Sequence, residues 1–147
     1  MEIHTIGFTQ TTAERFFETL KQTRIQRLID IRLNNRSQLA GFAKRDDLRY
    51  FLKSICGAEY LHEPLLAPTQ EILDAYKKKR IAWDEYERQF LALLRARKVE
   101  QSLRPSLFDT PAVLLCSEPK PDRCHRRLVA EYLSDTWGGI AIRHLCP

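Results

Sequence analysis

Apolar runs long enough to cross a membrane are missing from this chain: none approaches the roughly 18 residues that such a helix needs. The start, Met1-Glu2-Ile3-His4, has no basic flank followed by an apolar core, so no secretory signal is expected. Glycine is scarce, with five residues in 147. None of the five is arranged as a Gly-x-Gly-x-x-Gly phosphate loop or a Gly-x-Ser-x-Gly nucleophile elbow, which removes the commonest nucleotide-binding and hydrolase signatures. Internal repeats, low-complexity tracts and linker-like segments are absent too. The four cysteines, Cys56, Cys116, Cys124 and Cys146, do not make a secreted disulfide framework at this length. In a reducing compartment they are buried small hydrophobes, metal ligands or reactive thiols. These absences point to a soluble, cytoplasmic, non-membrane protein whose single domain spans residues 1–147 and is large enough for one substantial core.

The charge that is present is basic, at +5 with a pI near 9.2. Lys and Arg are spread along the chain, a pattern that allows a small anionic ligand or nucleic acid as partner without selecting between them. The densest run, Lys77-Lys78-Lys79-Arg80, reads as a solvated helix end and as the place where a nucleic-acid backbone would bind. No cofactor and no oligomeric state follow from these residues.

Hydrophobic periodicity alternates strand with helix. Strands are expected over 3–8, 27–32, 59–63, 112–116 and 140–145, and helices over 11–22, from Asp46 or Asp47 to Gly57, over 69–79, from Ala82, and over 123–137. Thr11 and Glu14 have capping-box spacing. Strands separated by helices pair in parallel through right-handed crossovers. The fold class is therefore α/β: a single three-layer domain with a mostly parallel sheet flanked by helices.

In such sheets, ligands bind beyond the carboxyl ends of the strands. Two segments place reactive side chains there. The first is Cys116-Ser117-Glu118, followed by Cys124-His125-Arg126 at the start of a helix. A thiol in a first helical turn beside Arg123, His125 and Arg126 meets conditions that favour a thiolate. Cys116, Glu118 and Cys124 are the catalytic candidates: a nucleophilic or redox thiol served by Glu118 or His125 for protons, with Arg126 holding an anionic substrate. The alternatives are a Cys/His metal-binding site built from Cys116, Glu118, Cys124 and His125, whose spacing matches no standard zinc pattern, and plain packing. The second segment is Asp30-Ile31-Arg32. Alternation sets Asp30 and Arg32 on one side of the strand, and the loop beyond supplies Asn34, Asn35, Arg36 and Ser37 as donors for phosphate or carboxylate oxygens. Asp30, Arg32, Ser37, His125 and Arg126 are the ligand-binding candidates. His62 ends the third strand and is a weaker one. Trp83 and Tyr86, at helical spacing, read as core.

Taken in order, Thr5-Ile6-Gly7, Asp30-Ile31-Arg32 with Ser37, Cys116-Ser117-Glu118 and Cys124-His125-Arg126 resemble the motifs of the family known as domain of unknown function 488. The Cys-x-Glu and Cys-His-Arg pieces are the specific part. The family's first motif usually continues with His and Ser, where this chain has Phe8 and Thr9. Its Asp-Val-Arg is usually followed by a proline, where Asn35 stands. The resemblance implies an α/β domain with its polar motifs at one sheet edge and carries no reaction with it. A looser likeness links Leu28-Ile29-Asp30-Ile31-Arg32 and the strand-end Cys116 to rhodanese-type domains. Those domains, however, use a short loop of small residues where this chain has Pro119-Lys120-Pro121.

Overall fold

The apolar alternation resolves into a five-stranded sheet in which every neighbouring pair is parallel, in the order β3-β2-β4-β1-β5. The structure is a computed structural model that describes residues 1–36, 41–118 and 121–147. Along the chain run β1 (Glu2–Gly7), α1 (Ala13–Gln22), β2 (Arg27–Asp30), α2 (Arg45–Phe51), β3 (Glu59–His62), α3 (Gln70–Lys77), α4 (Trp83–Arg97), α5 (Val99–Ser102), β4 (Ala112–Cys116), α6 (His125–Trp137) and β5 (Ala141–Leu145). No helix among the described residues is long and apolar enough to cross a membrane.

Strand order explains why there are two cores. From β1 through β2 to β3 the chain moves one way across the sheet, and from β3 through β4 to β5 it moves back. With right-handed crossovers, that reversal sends the two sets of connecting helices to opposite faces. On one face Phe16, Phe17 and Leu20 of α1 and Leu48 of α2 pack on Ile6, Leu28, Val113 and Leu115. On the other, Tyr86, Phe90 and Leu94 of α4 and Leu128, Val129 and Leu133 of α6 pack on Ile3, Ile29, Ala112 and Leu114. Successive residues of β4 thus feed different cores, as period-two alternation requires, and β4 is buried from end to end. It lies between β2 and β1, so the winding direction changes on both of its sides. The crevice that such a change opens at the carboxyl edge is where an α/β sheet takes its ligands.

Several boundaries differ from the periodicity. The amino end of α1 is capped by Thr12, whose side chain accepts from the Arg15 N–H, rather than by Thr11. With two adjacent threonines either can cap, and Thr12 leaves no Glu at the capping-box position. β2 stops at Asp30 rather than Arg32, because the Asp30 carboxylate accepts the Arg32 N–H at 3.1 Å and turns the chain out of the ladder. Helix α2 begins at Arg45 with no side-chain cap and widens into a π turn over Leu52–Cys56; Gly57 closes it at φ 63°, the left-handed position expected of it. α6 starts at His125 and not at Arg123, which makes Cys124 its N-cap rather than a first-turn residue.

Leu114 has no exposed surface at the centre of the sheet. Replacing it with alanine should lower stability by about 2–5 kcal/mol, read as a shift in the midpoint of urea unfolding.

Candidate functional site

The site forms where β1, β4 and β2 end level with one another. Gly7 of β1 stands opposite Cys116 of β4, and Ile31, just past β2, donates its N–H to the Leu115 carbonyl at 3.2 Å. Past Cys116 the chain is tied down from the β1 side: the Ser117 carbonyl accepts from both the N–H of Thr9 at 3.2 Å and its hydroxyl at 2.7 Å. The next carbonyl, that of Glu118, lies so close over Gly7 that a Cβ there would come within 1.7 Å of it. Only glycine fits beneath that loop. This gives the Gly7 of Thr5-Ile6-Gly7 a physical role.

Cys116 and Cys124 are buried, 5% and 3% exposed. The Cys116 sulfur lies 3.3 Å from Nδ1 of His125, and Nε2 of the same ring lies 2.7 Å from the Ile31 carbonyl oxygen. A carbonyl only accepts, so Nε2 carries the ring hydrogen and Nδ1 is left to accept from the Cys116 thiol. Phe90 packs edge-on against the ring at 5.5 Å and holds its plane. The Cys116 sulfur, the Cys124 sulfur and a ring nitrogen of His125 all lie within 4.8 Å of one another. Burial pushes the Cys116 thiol up. The Cys124 thiol beside it, the Arg126 charge and the backbone N–H groups of Ser117 and Glu118 outweigh that, and its pKa falls below the ordinary cysteine value. The Cys124 thiol goes the other way, driven well up by burial and by the neighbouring Cys116 sulfur. Of the two thiols, Cys116 is the one poised to ionise.

Arg126 has no exposed surface. Its Nε donates to the Thr5 hydroxyl at 3.3 Å, and its Nη1 donates to the Glu118 carbonyl and lies 3.7 Å from the Cys124 sulfur. The Thr5 hydroxyl in turn meets Nδ1 of His144 at 2.6 Å. Burial, followed by the Arg126 charge, lowers the His144 pKa. Thus Arg126 meets the Glu118 backbone and not its carboxylate, and the carboxylate residue stands exposed at the cleft. Arg127, expected on the solvent side with Glu131, pairs with it at 3.0 Å and with Glu87 at 3.1 Å.

Asp30 and Arg32 share one side of their segment and form a buried ion pair. Both guanidinium contacts to the carboxylate measure 2.8 Å, and the Tyr60 hydroxyl donates to the same carboxylate at 2.6 Å. Burial and this bond to Asp30 push the Tyr60 pKa up. Asn35 donates to Tyr60 at 3.1 Å, while Arg32 lies over the Phe8 ring at 5.1 Å. The third guanidinium nitrogen of Arg32, Nη1, is buried and has no hydrogen-bond partner among the described residues. His62 is exposed and donates from Nε2 to the Arg32 carbonyl at 2.9 Å. Ser37 lies outside the described residues, as do Pro119 and Lys120.

A cleft of about 310 Å³ opens onto these groups, and Arg32, Cys116, Glu118, Arg123, Cys124 and His125 are on its wall. Asp30 and Arg126 stand behind it as support. Its opposite wall is aromatic: Tyr76, Trp83 and Tyr86, with Trp83 stacked on Tyr86 at 5.1 Å and 23°. Periodicity assigned Trp83 and Tyr86 to the core. They do pack on it, and they also line this cleft together with the strand-end residues. Helical spacing gives the face of a residue but not what that face overhangs. A shallower cleft of about 610 Å³ adjoins the first; the two share Tyr76, Lys77, Trp83 and Arg123, and the second adds Lys79 and Arg80.

The model of the domain of unknown function DUF488 matches residues 12–133. The chain belongs to this family. No curated protein and no solved structure matches it. The matched span of this DUF488 domain runs from α1 into α6 and contains Asp30, Arg32, Cys116, Cys124, His125 and Arg126.

Gly7→Ala in the DUF488 chain should lift the Glu118 carbonyl off β1 and lower stability by about 1–3 kcal/mol, with Cys116 alkylation changing in parallel. Asp30→Asn should destabilise by about 3–5 kcal/mol, because it leaves the Arg32 charge buried without its counterion. Urea unfolding measures both.

Proposed function

We propose that this DUF488 protein is a thiol-dependent enzyme, a transferase or hydrolase, acting on a small anionic or nucleotide-like ligand with Cys116 as nucleophile. The observation that carries this reading is the line from the Cys116 sulfur to Nδ1 of His125, 3.3 Å, and from Nε2 to the Ile31 carbonyl, 2.7 Å, at the wall of a cleft. A carbonyl that fixes the tautomer makes Nδ1 the base. When it takes the Cys116 proton, a thiolate–imidazolium pair results, the arrangement that activates cysteine nucleophiles. The buried Arg126 charge favours the same thiolate.

An anionic ligand is supported by the orphan Nη1 of Arg32, since buried polar groups are almost always satisfied. The cations Lys77 and Arg123 at the rim of the cleft add to this. The aromatic wall of Tyr76, Trp83 and Tyr86 suits a flat group attached to the anion. In this reading Glu118, exposed at the cleft, exchanges protons with the leaving group. Cytoplasmic location fits a chemistry that needs reduced thiols.

The cluster of Cys116, Cys124 and His125 also has the donor types of a zinc site. Arg126 argues against a resident cation: its own positive charge already lies 3.7 Å from the Cys124 sulfur.

Iodoacetamide labelling against pH tests the reading. Because the Cys116 pKa is lowered, its thiolate persists below the free-thiol midpoint near ~8.5 and is lost only as pH falls through the lowered value. His125→Ala should raise that midpoint and slow alkylation at pH 7 on the order of tenfold. Adenosine monophosphate should protect Cys116 better than adenosine does. A midpoint at or above that of a free thiol, or stoichiometric zinc in protein purified without chelator, would overturn the nucleophile assignment.

A further inference from the structure

Cys124 is used by neither the capping of its helix nor the chemistry assigned above. Helix N-caps favour Ser, Thr, Asp or Asn, whose oxygen accepts a free backbone N–H. Cys124 holds that position with an extended backbone, φ −139° and ψ 141°, and its side chain makes no capping bond. The sulfur turns instead toward Cys116 and His125, all within 4.8 Å of one another, and toward Arg126 Nη1 at 3.7 Å. A disulfide needs the two sulfurs at about 2.0 Å. Cys124 stands on the helix boundary, outside the regular helix. Cys56 and Cys146, the other two thiols, are not members of this cluster.

We infer that Cys124 is the resolving thiol for Cys116, and that the pair carries out thiol–disulfide exchange with a small anionic disulfide; this rests on Cys116 being the nucleophile. In the first step Cys116 gives its proton to Nδ1 of His125 and its thiolate attacks one sulfur of R–S–S–R. A Cys116–S–S–R bond forms, the original S–S bond breaks, and the departing RS⁻ takes the proton from the imidazolium. In the second step Cys124 passes its proton to the same ring, its thiolate steadied by Arg126, and attacks the Cys116 sulfur. The Cys116–Cys124 bond forms and the second RS⁻ leaves with that proton. The protein dithiol is oxidised by two electrons, and one disulfide becomes two thiols. The rim cations Lys77 and Arg123 favour negative charge on R.

The test uses the full chain carrying Cys56→Ser and Cys146→Ser, reduced and then mixed with oxidised glutathione. The intact mass should fall by two hydrogens, and peptide mapping should join Cys116 to Cys124. Cys124→Ala should stop at a glutathione adduct on Cys116, and Cys124→Ser provides the same trap if the alanine variant does not fold. At low salt, oxidised glutathione should react about tenfold or more faster than the cationic disulfide cystamine. If the chain with both thiols stops at the Cys116 adduct, the resolving role is wrong while the nucleophile stands. If Cys116 takes neither glutathione nor iodoacetamide, both fail. Equal rates for the two disulfides would remove the anionic substrate class.

Discussion

Arg126 carries a full positive charge with no exposed surface, and the carboxyl edge of the sheet is arranged to make that tolerable. A buried guanidinium is stable only when its N–H groups find acceptors. Here Thr5 comes from β1, the Glu118 carbonyl from the loop after β4, and the Cys124 sulfur from the cap of its own helix. Drawing the Glu118 carbonyl inward brings the loop down on Gly7, so the backbone there has no room for a side chain. The same descent leaves Cys116 beside His125. One buried charge thus ties β1 to the loop after β4 and to the cap of α6.

Why this edge and not the other follows from topology. β4 enters the sheet last among the central strands, between two strands already wound in the opposite sense, so its own loop leads to α6 on one face while the loops after β1 and β2 lead to α1 and α2 on the other. His125 reaches across β4 to the Ile31 carbonyl next to β2, while Arg126, the next residue, reaches Thr5 on β1. Adjacent residues at a helix start point about 100° apart, and α6 uses that difference to join both neighbouring strands.

Much of this was legible in the sequence, for reasons particular to its residues. β4 is apolar at every position, which marks a strand covered on both faces, and the run of Cys116, Glu118, Cys124, His125 and Arg126 just beyond it marked the candidate site, where the structure brings Cys116, Cys124 and His125 together. What was not legible depended on three-dimensional placement. A helix beginning two residues later than periodicity suggested moves Cys124 from a first-turn position favouring ionisation to a cap where burial dominates, a distinction on which the choice between the two thiols depends. Alternation put Asp30 and Arg32 together, but nothing in the sequence revealed Tyr60 as their third member, since it lies thirty residues away on β3. The aromatic wall escaped notice because Trp83 and Tyr86 satisfy the pattern of a buried helix face.

In the function proposed above, the Asp30–Arg32 pair also shapes what the cleft recognises. Two of the three guanidinium nitrogens are held by one carboxylate, so Arg32 keeps one buried N–H group without a partner among the described residues and with little net field behind it. Lys77 and Arg123, which have no ion pair among the described residues, stand exposed at the rim, where water and salt weaken them. In that proposed function, attraction and discrimination are therefore spatially divided: charge at the mouth would gather anions of any shape, and the Arg32 donor would select among them by the direction of one oxygen.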